Sequence, residues 1–198
     1  MSKEIKYFDP RNPGWMNDTE LGAIKDAARG KGEVLEIGCY CGRTTRALCE
    51  VTHGIVVAID PLHRNGWMPR WSDDNAILDS HAYMGNLVKE FPHKLVVIPA
   101  FAQEMFRLFR REVDVLMIDS SHAYQDTKNE IEVFALLVRN GGVIILDDYD
   151  LDPVNTAWRD SDYLKKKPWL VVEQVKSIGI IKLVPETTTA PPTTATPV

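Results

Sequence analysis

Five short apolar runs rich in β-branched residues recur along the chain: "EVLEIG" from residue 33, "GIVVAID" from 54, "KLVVIPA" from 94, "DVLMID" from 114 and "GGVIILDD" from 141. Each is apolar at odd and even positions alike, as expected of a strand covered on both faces. The intervening segments, residues 44–51, 74–91, 102–110 and 125–139, carry helical spacing. Strands alternating with helices predict a doubly wound, mostly parallel α/β sheet. Ahead of them, the turn-rich "FDPRNPGWMNDT" leads into a helix expected over 20–29, with Asp18 or Thr19 as its cap. After residue 148 the order changes. A helix is expected near 156–166, and "WLVVEQV" and "GIIKLV", joined through "KSI", read as an antiparallel hairpin closing the sheet.

At 198 residues the chain suits one domain. That domain is expected over residues 1–184, with 1–32 as a lead-in helix. The last segment, 185–198, "PETTTAPPTTATPV", is low-complexity and expected to be disordered. A formal charge of −5 argues against a nucleic-acid partner, and "RR" and "KKK" read as solvated surface. No apolar run approaches the ~18 residues of a membrane span, and the first residues lack a signal-peptide core, so a cytoplasmic, non-membrane protein is expected. Cys39, Cys41 and Cys49 are odd in number and crowded into one segment, which fits neither a disulfide framework nor the Cys-x-x-Cys pairs of structural zinc. The long "PLHRNGWMPRWSDD" from residue 61 could be a lid through Trp67, Arg70 and Trp71, or simply a packed loop.

The chemistry starts in "EVLEIGCYCGRT", where a strand runs through a glycine turn into a helix. A pyrophosphate loop needs G-x-G-x-x-G, but after Gly38 the glycine positions hold Tyr40 and Arg43. A nicotinamide dehydrogenase is therefore disfavoured. What remains is Glu36-x-Gly38-x-x-x-Gly42, with Asp60 ending the next strand about 20 residues on, where an acid serves a ribose diol. A nucleoside without pyrophosphate fits, and S-adenosylmethionine has that form: a ribose for Asp60 and an amino-acid end for the Gly38–Gly42 turn.

"EVLEIGCYCGRTT", "VVAID" and "IDSSHAYQDTKNEIEVFALLVRNGGVIILDDY" resemble the class I S-adenosylmethionine-dependent methyltransferases. The last segment is similar to the small-molecule O-methyltransferase group that includes macrocin O-methyltransferase-like and cephalosporin hydroxylase-like proteins. The resemblance extends over residues 20–184. It implies a Rossmann-like fold, and a cofactor held by Glu36, Gly38, Tyr40, Gly42, Asp60 and Asp119, with Ala102 and Gln103 of "PAFAQEMF" on the adenine side. The acceptor is expected to be a small molecule, and a homo-oligomer is possible.

Asp119 ends the fourth strand and Asp147 and Asp148 end the fifth, neighbours about 4.8 Å apart in such a sheet. Carboxylates so close call for a cation, and oxygen ligands favour Mg²⁺, Mn²⁺ or Ca²⁺. The arrangement resembles metal-dependent catechol-type methyltransferases, which use an aspartate after strand four, an Asp-Asn pair after strand five, and a lysine three residues after the first ligand. Here the pair is Asp-Asp and the lysine position holds His122. The expectation is a metal on Asp119, Asp147 and Asp148, with Asp119 and His122 catalytic and His122 the base. His122 as a helix cap, Asp147 or Asp148 as a turn cap, a metal-independent or N-directed methyltransferase, and a non-catalytic binding module remain open.

Overall fold

A computed structural model describes residues 11–62, 79–163 and 170–183. The proposed lid residues Trp67, Arg70 and Trp71 and the segment 185–198 lie outside the described residues. The elements are α1 (Asp18–Ala28), β1 (Val34–Ile37), α2 (Arg43–Val51), β2 (Val56–Ile59), α3 (Ser80–Glu90), β3 (Leu95–Ile98), α4 (Ala102–Met105), β4 (Val113–Ile118), α5 (Tyr124–Phe134), a 3-10 turn (Ala135–Leu137), β5 (Val138–Leu146), α6 (Asp152–Arg159), β6 (Leu170–Val175) and β7 (Ile178–Leu183).

Among the described residues seven strands form one sheet in the order β3-β2-β1-β4-β5-β7-β6. The first five are parallel, and β7 runs antiparallel between β5 and β6. The order reverses direction beside β1 and β4, so the carboxyl ends of those strands open a crevice of the kind in which α/β folds bind ligands. Strand alternation separates two cores. Leu35, Ile37, Ile59, Leu116, Ile118, Ile144 and Leu146 pack towards α5 and α6 through Ile131, Phe134, Val154 and Trp158. Val34, Val56, Ala58, Val115, Met117, Val143 and Ile145 pack towards α1, α2 and α3 through Ile24, Leu48, Met84 and Leu87. Among the described residues no helix is long and apolar enough to cross a membrane.

Several boundaries differ from expectation for local reasons. The cap of α1 is Asn17, not Asp18 or Thr19: its Oδ1 accepts from the Thr19 and Glu20 amides, and Glu20 returns a bond to the Asn17 amide. That reciprocal pair is a capping box. α4 stops at Met105 instead of 110, where the chain turns to bury Phe109. α5 ends at Phe134, because Val138 already pairs with Val113; a register shift then takes β5 past Gly141 (φ 80°) before Val143 meets Val115. α6 begins at Asp152, since Pro153 suits a first helical turn, whereas the expected start lay near 156.

Candidate functional site

The turn after β1 is built from backbone. The Gly38 amide donates to Ile59 O at 2.9 Å, and Gly42 N closes onto Cys39 O at 2.7 Å. Both glycines have φ 83°, and Tyr40 between them has φ 45°, a conformation unfavourable for a residue with a side chain. Gly38 is glycine for a second reason: a Cβ there would lie 2.0 Å from Asp119 O and 2.8 Å from Ser120 Cα. The turn therefore rests directly on the main chain that leaves β4. At Gly42, a Cβ would meet Met84 and Leu87 of α3.

Asp60 clamps this turn. Its Oδ2 accepts from the Cys39 and Tyr40 amides at 3.0 and 2.9 Å, and its Oδ1 accepts from Leu62 N at 2.8 Å. Three of its roughly four acceptor positions are used, leaving one on Oδ1. A short strap of residues 11–16, unnoticed in the sequence as a functional feature, holds the turn from outside. Buried Asn12 donates to Cys41 O at 2.7 Å, Arg43 Nε donates to Met16 O at 2.7 Å, and the Trp15 ring lies 4.9 Å from that of Tyr40. The "NPG" turn motif was its only signal.

Glu36 lies beneath the turn, on the α2-facing side of the sheet, fully buried. Neither of its carboxylate oxygens meets a hydrogen-bond partner, and the Thr45 hydroxyl is similarly unpartnered. Burial pushes its pKa from 4.5 to about 8; the nearby Thr45 hydroxyl opposes the shift, and the charges of Asp119 and Asp60 add to it. At neutral pH this side chain is mostly a neutral acid. Ala102 is buried at the start of α4, beyond the end of β3, and Gln103 beside it is exposed.

The second rim joins the ends of β4 and β5. One ligand atom each from Asp119, His122 and Asp147 lie within 4.8 Å of one another. Asp148, at φ 49°, has its Oδ2 3.1 Å from His122 Nδ1. His122 Nε2 lies 3.5 Å from Asp119 Oδ1 and is buried without a hydrogen-bond partner. Burial lowers the imidazole pKa, but Asp119 and Asp148 outweigh it and hold the ring above its ordinary range. Asp147 is pushed well up by burial and by the negative charges of Asp119 and Asp148. Both ring nitrogens face carboxylates, on a side chain that is 35% exposed. Asp148, the third aspartate expected to bind metal, faces His122, while Asp119 and Asp147 share the group of donors with it.

The loop between them is tied to α5. Ser120 Oγ donates to Glu130 Oε2 at 2.6 Å, Ser121 Oγ donates to Asp126 at 2.7 Å, and Thr127 Oγ1 donates to Ser121 O at 3.0 Å. Glu130 is buried, and the loss of solvent raises its pKa to about 7 against the pull of Ser120. Sequence pattern did not single it out, since an acid in an amphipathic helix ordinarily faces water.

The fold and the two rims define a class of enzymes that transfer one-carbon groups from a nucleoside cofactor. A family model described as "Methyltransferase domain" matches residues 35–149, from the first residues of β1 to just past the Asp147–Asp148 pair. The chain belongs to this family and is an S-adenosylmethionine-dependent methyltransferase. Solved structures share its fold. An O-methyltransferase from Bacillus cereus in complex with SAH is 17% identical, with TM-score 0.60, over 85% of this chain and 82% of that one. The O-methyltransferase TomG from Streptomyces achromogenes, involved in tomaymycin synthesis and in complex with SAM, is 15% identical, with TM-score 0.60, over 85% and 81%. An rRNA methylase from Streptococcus thermophilus is 11% identical, with TM-score 0.55, over 83% and 93%. At these identities the likeness establishes the fold, while the acceptor has to be argued from the site.

Proposed function

We propose that the protein transfers the methyl group of S-adenosylmethionine to a hydroxyl oxygen of a small molecule, with a divalent cation at the rim between β4 and β5. The observation that carries this reading is the contact between the two halves of the site. Gly38 of the cofactor turn abuts the backbone of Asp119 and Ser120, so a cofactor on the turn presents its reactive end to the carboxylate rim. Here the turn binds the amino-acid end, the remaining acceptor position of Asp60 takes a ribose hydroxyl, Glu36 and Tyr40 shape the floor and wall, and Ala102 and Gln103 border the adenine.

In the reaction the acceptor oxygen forms a bond to the methyl carbon as the carbon–sulfur bond breaks. The sulfonium becomes a neutral thioether, and the hydroxyl proton leaves through the carboxylate oxygens of the rim. The donors gathered by Asp119, His122 and Asp147 fit a cation, because two carboxylates in so little space otherwise repel one another. A bound divalent ion would lower the pKa of a hydroxyl attached to it. O-methyltransferases and an N-methyltransferase share the fold alike, so the oxygen acceptor rests on the acidic rim, and the net charge of −5 disfavours an RNA acceptor.

The test is calorimetric titration with S-adenosylmethionine and, separately, NAD⁺, followed by measurement of S-adenosylhomocysteine release with hydroxylated aromatics, sugars and polyketides, with and without EDTA. Binding of S-adenosylmethionine alone and EDTA-sensitive turnover are expected. Absence of S-adenosylmethionine binding would overturn the cofactor assignment; turnover indifferent to EDTA would remove the metal.

A further inference from the structure

We infer that Asn12 is a positioning residue for the cofactor turn: it fixes the peptide between Cys41 and Gly42, and so sets the affinity for the amino-acid end of S-adenosylmethionine. Asn12 lies in the strap, ahead of the residues 35–149 that match the family. The inference rests on the cofactor placement proposed above and adds to it a residue from outside the matched region. Asn12 is buried, with 2% of its surface exposed. Its Nδ2 donates to Cys41 O at 2.7 Å, and its Oδ1 accepts from Arg46 Nε at 2.6 Å. Arg46 lies on α2, and its guanidinium forks onto both carboxylate oxygens of Glu90 on α3. A guanidinium only donates, so the oxygen end of the Asn12 amide has to face Arg46. The NH₂ end is thereby turned to the Cys41 carbonyl.

The peptide so held is pinned at both ends. Its C=O meets Asn12, and its N–H, that of Gly42, donates to Cys39 O at 2.7 Å. Gly42 has φ 83°, and a glycine tolerates either sign of that angle, so the residue at this hinge does not hold the plane by itself. Glycine also admits the strap, since a Cβ at 42 would lie 3.2 Å from Asn12 Nδ2. Without the Asn12 donor the buried Cys41 carbonyl would lack a partner, and the plane would be driven to turn towards another.

The plane matters to a ligand because of its neighbours. Asp60 takes the amides of Cys39 and Tyr40, whereas those of Cys41 and Arg43 meet no acceptor among the described residues, and α2 has no side-chain cap. Backbone N–H groups at the start of a helix are donors for a carboxylate, here that of the cofactor's amino-acid end. Peptide groups are rigid planes joined at Cα, and the planes carrying the Cys41 and Arg43 amides flank the one that Asn12 holds. Turning the middle plane re-aims both donors. The strap itself has other anchors, the Arg43 Nε bond to Met16 O at 2.7 Å and the Trp15 ring 4.9 Å from that of Tyr40. Loss of the Asn12 donor alone therefore leaves the strap attached.

Calorimetric titration of wild type, Asn12→Asp and Asn12→Ala with two probes tests this. One probe is S-adenosylmethionine, and the other is methylthioadenosine, which keeps the nucleoside and lacks the amino-acid end. Aspartate retains an acceptor for Arg46 and removes only the donor to Cys41 O. In both variants S-adenosylmethionine should bind about tenfold more weakly at unchanged stoichiometry, while methylthioadenosine stays within about twofold of wild type. A residue that merely supports the fold would instead lower the stoichiometry for both probes and leave the affinity of the folded fraction unchanged. That outcome, unchanged S-adenosylmethionine affinity in Asn12→Asp, equal weakening of both probes, or failure of both variants to fold would overturn the inference and leave the wild-type cofactor assignment standing. Wild type that binds no S-adenosylmethionine would overturn the cofactor placement, and this inference with it.

Discussion

The turn between β1 and α2 and the rim between β4 and β5 lie against each other, yet they are built in opposite ways. The turn is made of main chain, shaped by two glycines at φ 83° and held by the oxygens of Asp60 and, from outside, by the strap of residues 11–16. The rim is made of side chains, with acids and an imidazole held in place by one another and by α5. The first should fail when space or a backbone angle is altered, and the second when a charge is altered.

Gly38→Ala should have the largest effect. The new methyl would have to share space with Asp119 O at 2.0 Å and would stand on a backbone with φ 83°. Overpacking and an unfavourable angle together cost about 3 kcal/mol or more. For a chain of this size that is about 10 °C in Tm, read by thermal unfolding, with loss of S-adenosylmethionine binding. A Tm within 2 °C of the wild type would show that the two halves do not touch.

Asp60→Asn follows. An amide offers one acceptor oxygen where the carboxylate offered two, so the amides of Cys39, Tyr40 and Leu62 cannot all remain paired. Loss of a charge-assisted bond costs about 1.5–3 kcal/mol, so S-adenosylmethionine affinity should drop at least tenfold by calorimetry. Asp148→Asn should leave that affinity within about twofold. Equal losses in the two variants would erase the contrast between the regions.

Glu36 gives a pH test. Its pKa is about 8 in the folded chain against 4.5 unfolded, so the folded state holds the extra proton between these values. Stability from this group is fully present below pH 4.5 and falls by up to ~1.4 kcal/mol per pH unit until about pH 8, where the loss levels off. Glu36→Gln removes that slope. Urea unfolding at pH 5 and pH 8 should show the variant gaining on the wild type by as much as about 4 kcal/mol as pH rises; parallel pH dependences would contradict the buried, unpartnered placement.

Tyr40→Gly should have the smallest effect. Glycine relieves roughly 1–2 kcal/mol of left-handed backbone strain and forfeits the ring contact with Trp15, worth about 0.5–1.5 kcal/mol. The two nearly cancel, and a Tm change beyond about 4 °C would mean that one of them has been misjudged.

The same contrast explains how much of the molecule was legible in its sequence. β-Branched runs and glycine spacing report backbone demands, so β1 to β5, the closing hairpin and the Gly38–Gly42 turn could be read from the chain. The turn's proximity to Asp60 followed from strand adjacency. What the side chains do at the rim depends on angles that spacing does not encode. The aspartates at 147 and 148 looked equivalent, yet Asp148, at φ 49°, is the one 3.1 Å from His122 Nδ1. Likewise the Asn17 cap, the early start of α6 at Asp152 and the burial of Glu130 depend on three-dimensional partners.

The position of β7 bears on the order in which the site is assembled. Made after every other strand, it inserts between β5 and β6, and the turn before it holds the acidic rim: Tyr149 N donates to Ser177 O at 2.7 Å, and the Tyr149 ring lies where a side chain at 179 would be. A chain emerging from the ribosome can therefore complete β1, β2 and the cofactor turn while one edge of β5 is still bare and the segment after Asp148 has nothing to lie against. The Gly38–Gly42 turn is thus complete before the β4–β5 rim, whose closure waits on the last hairpin.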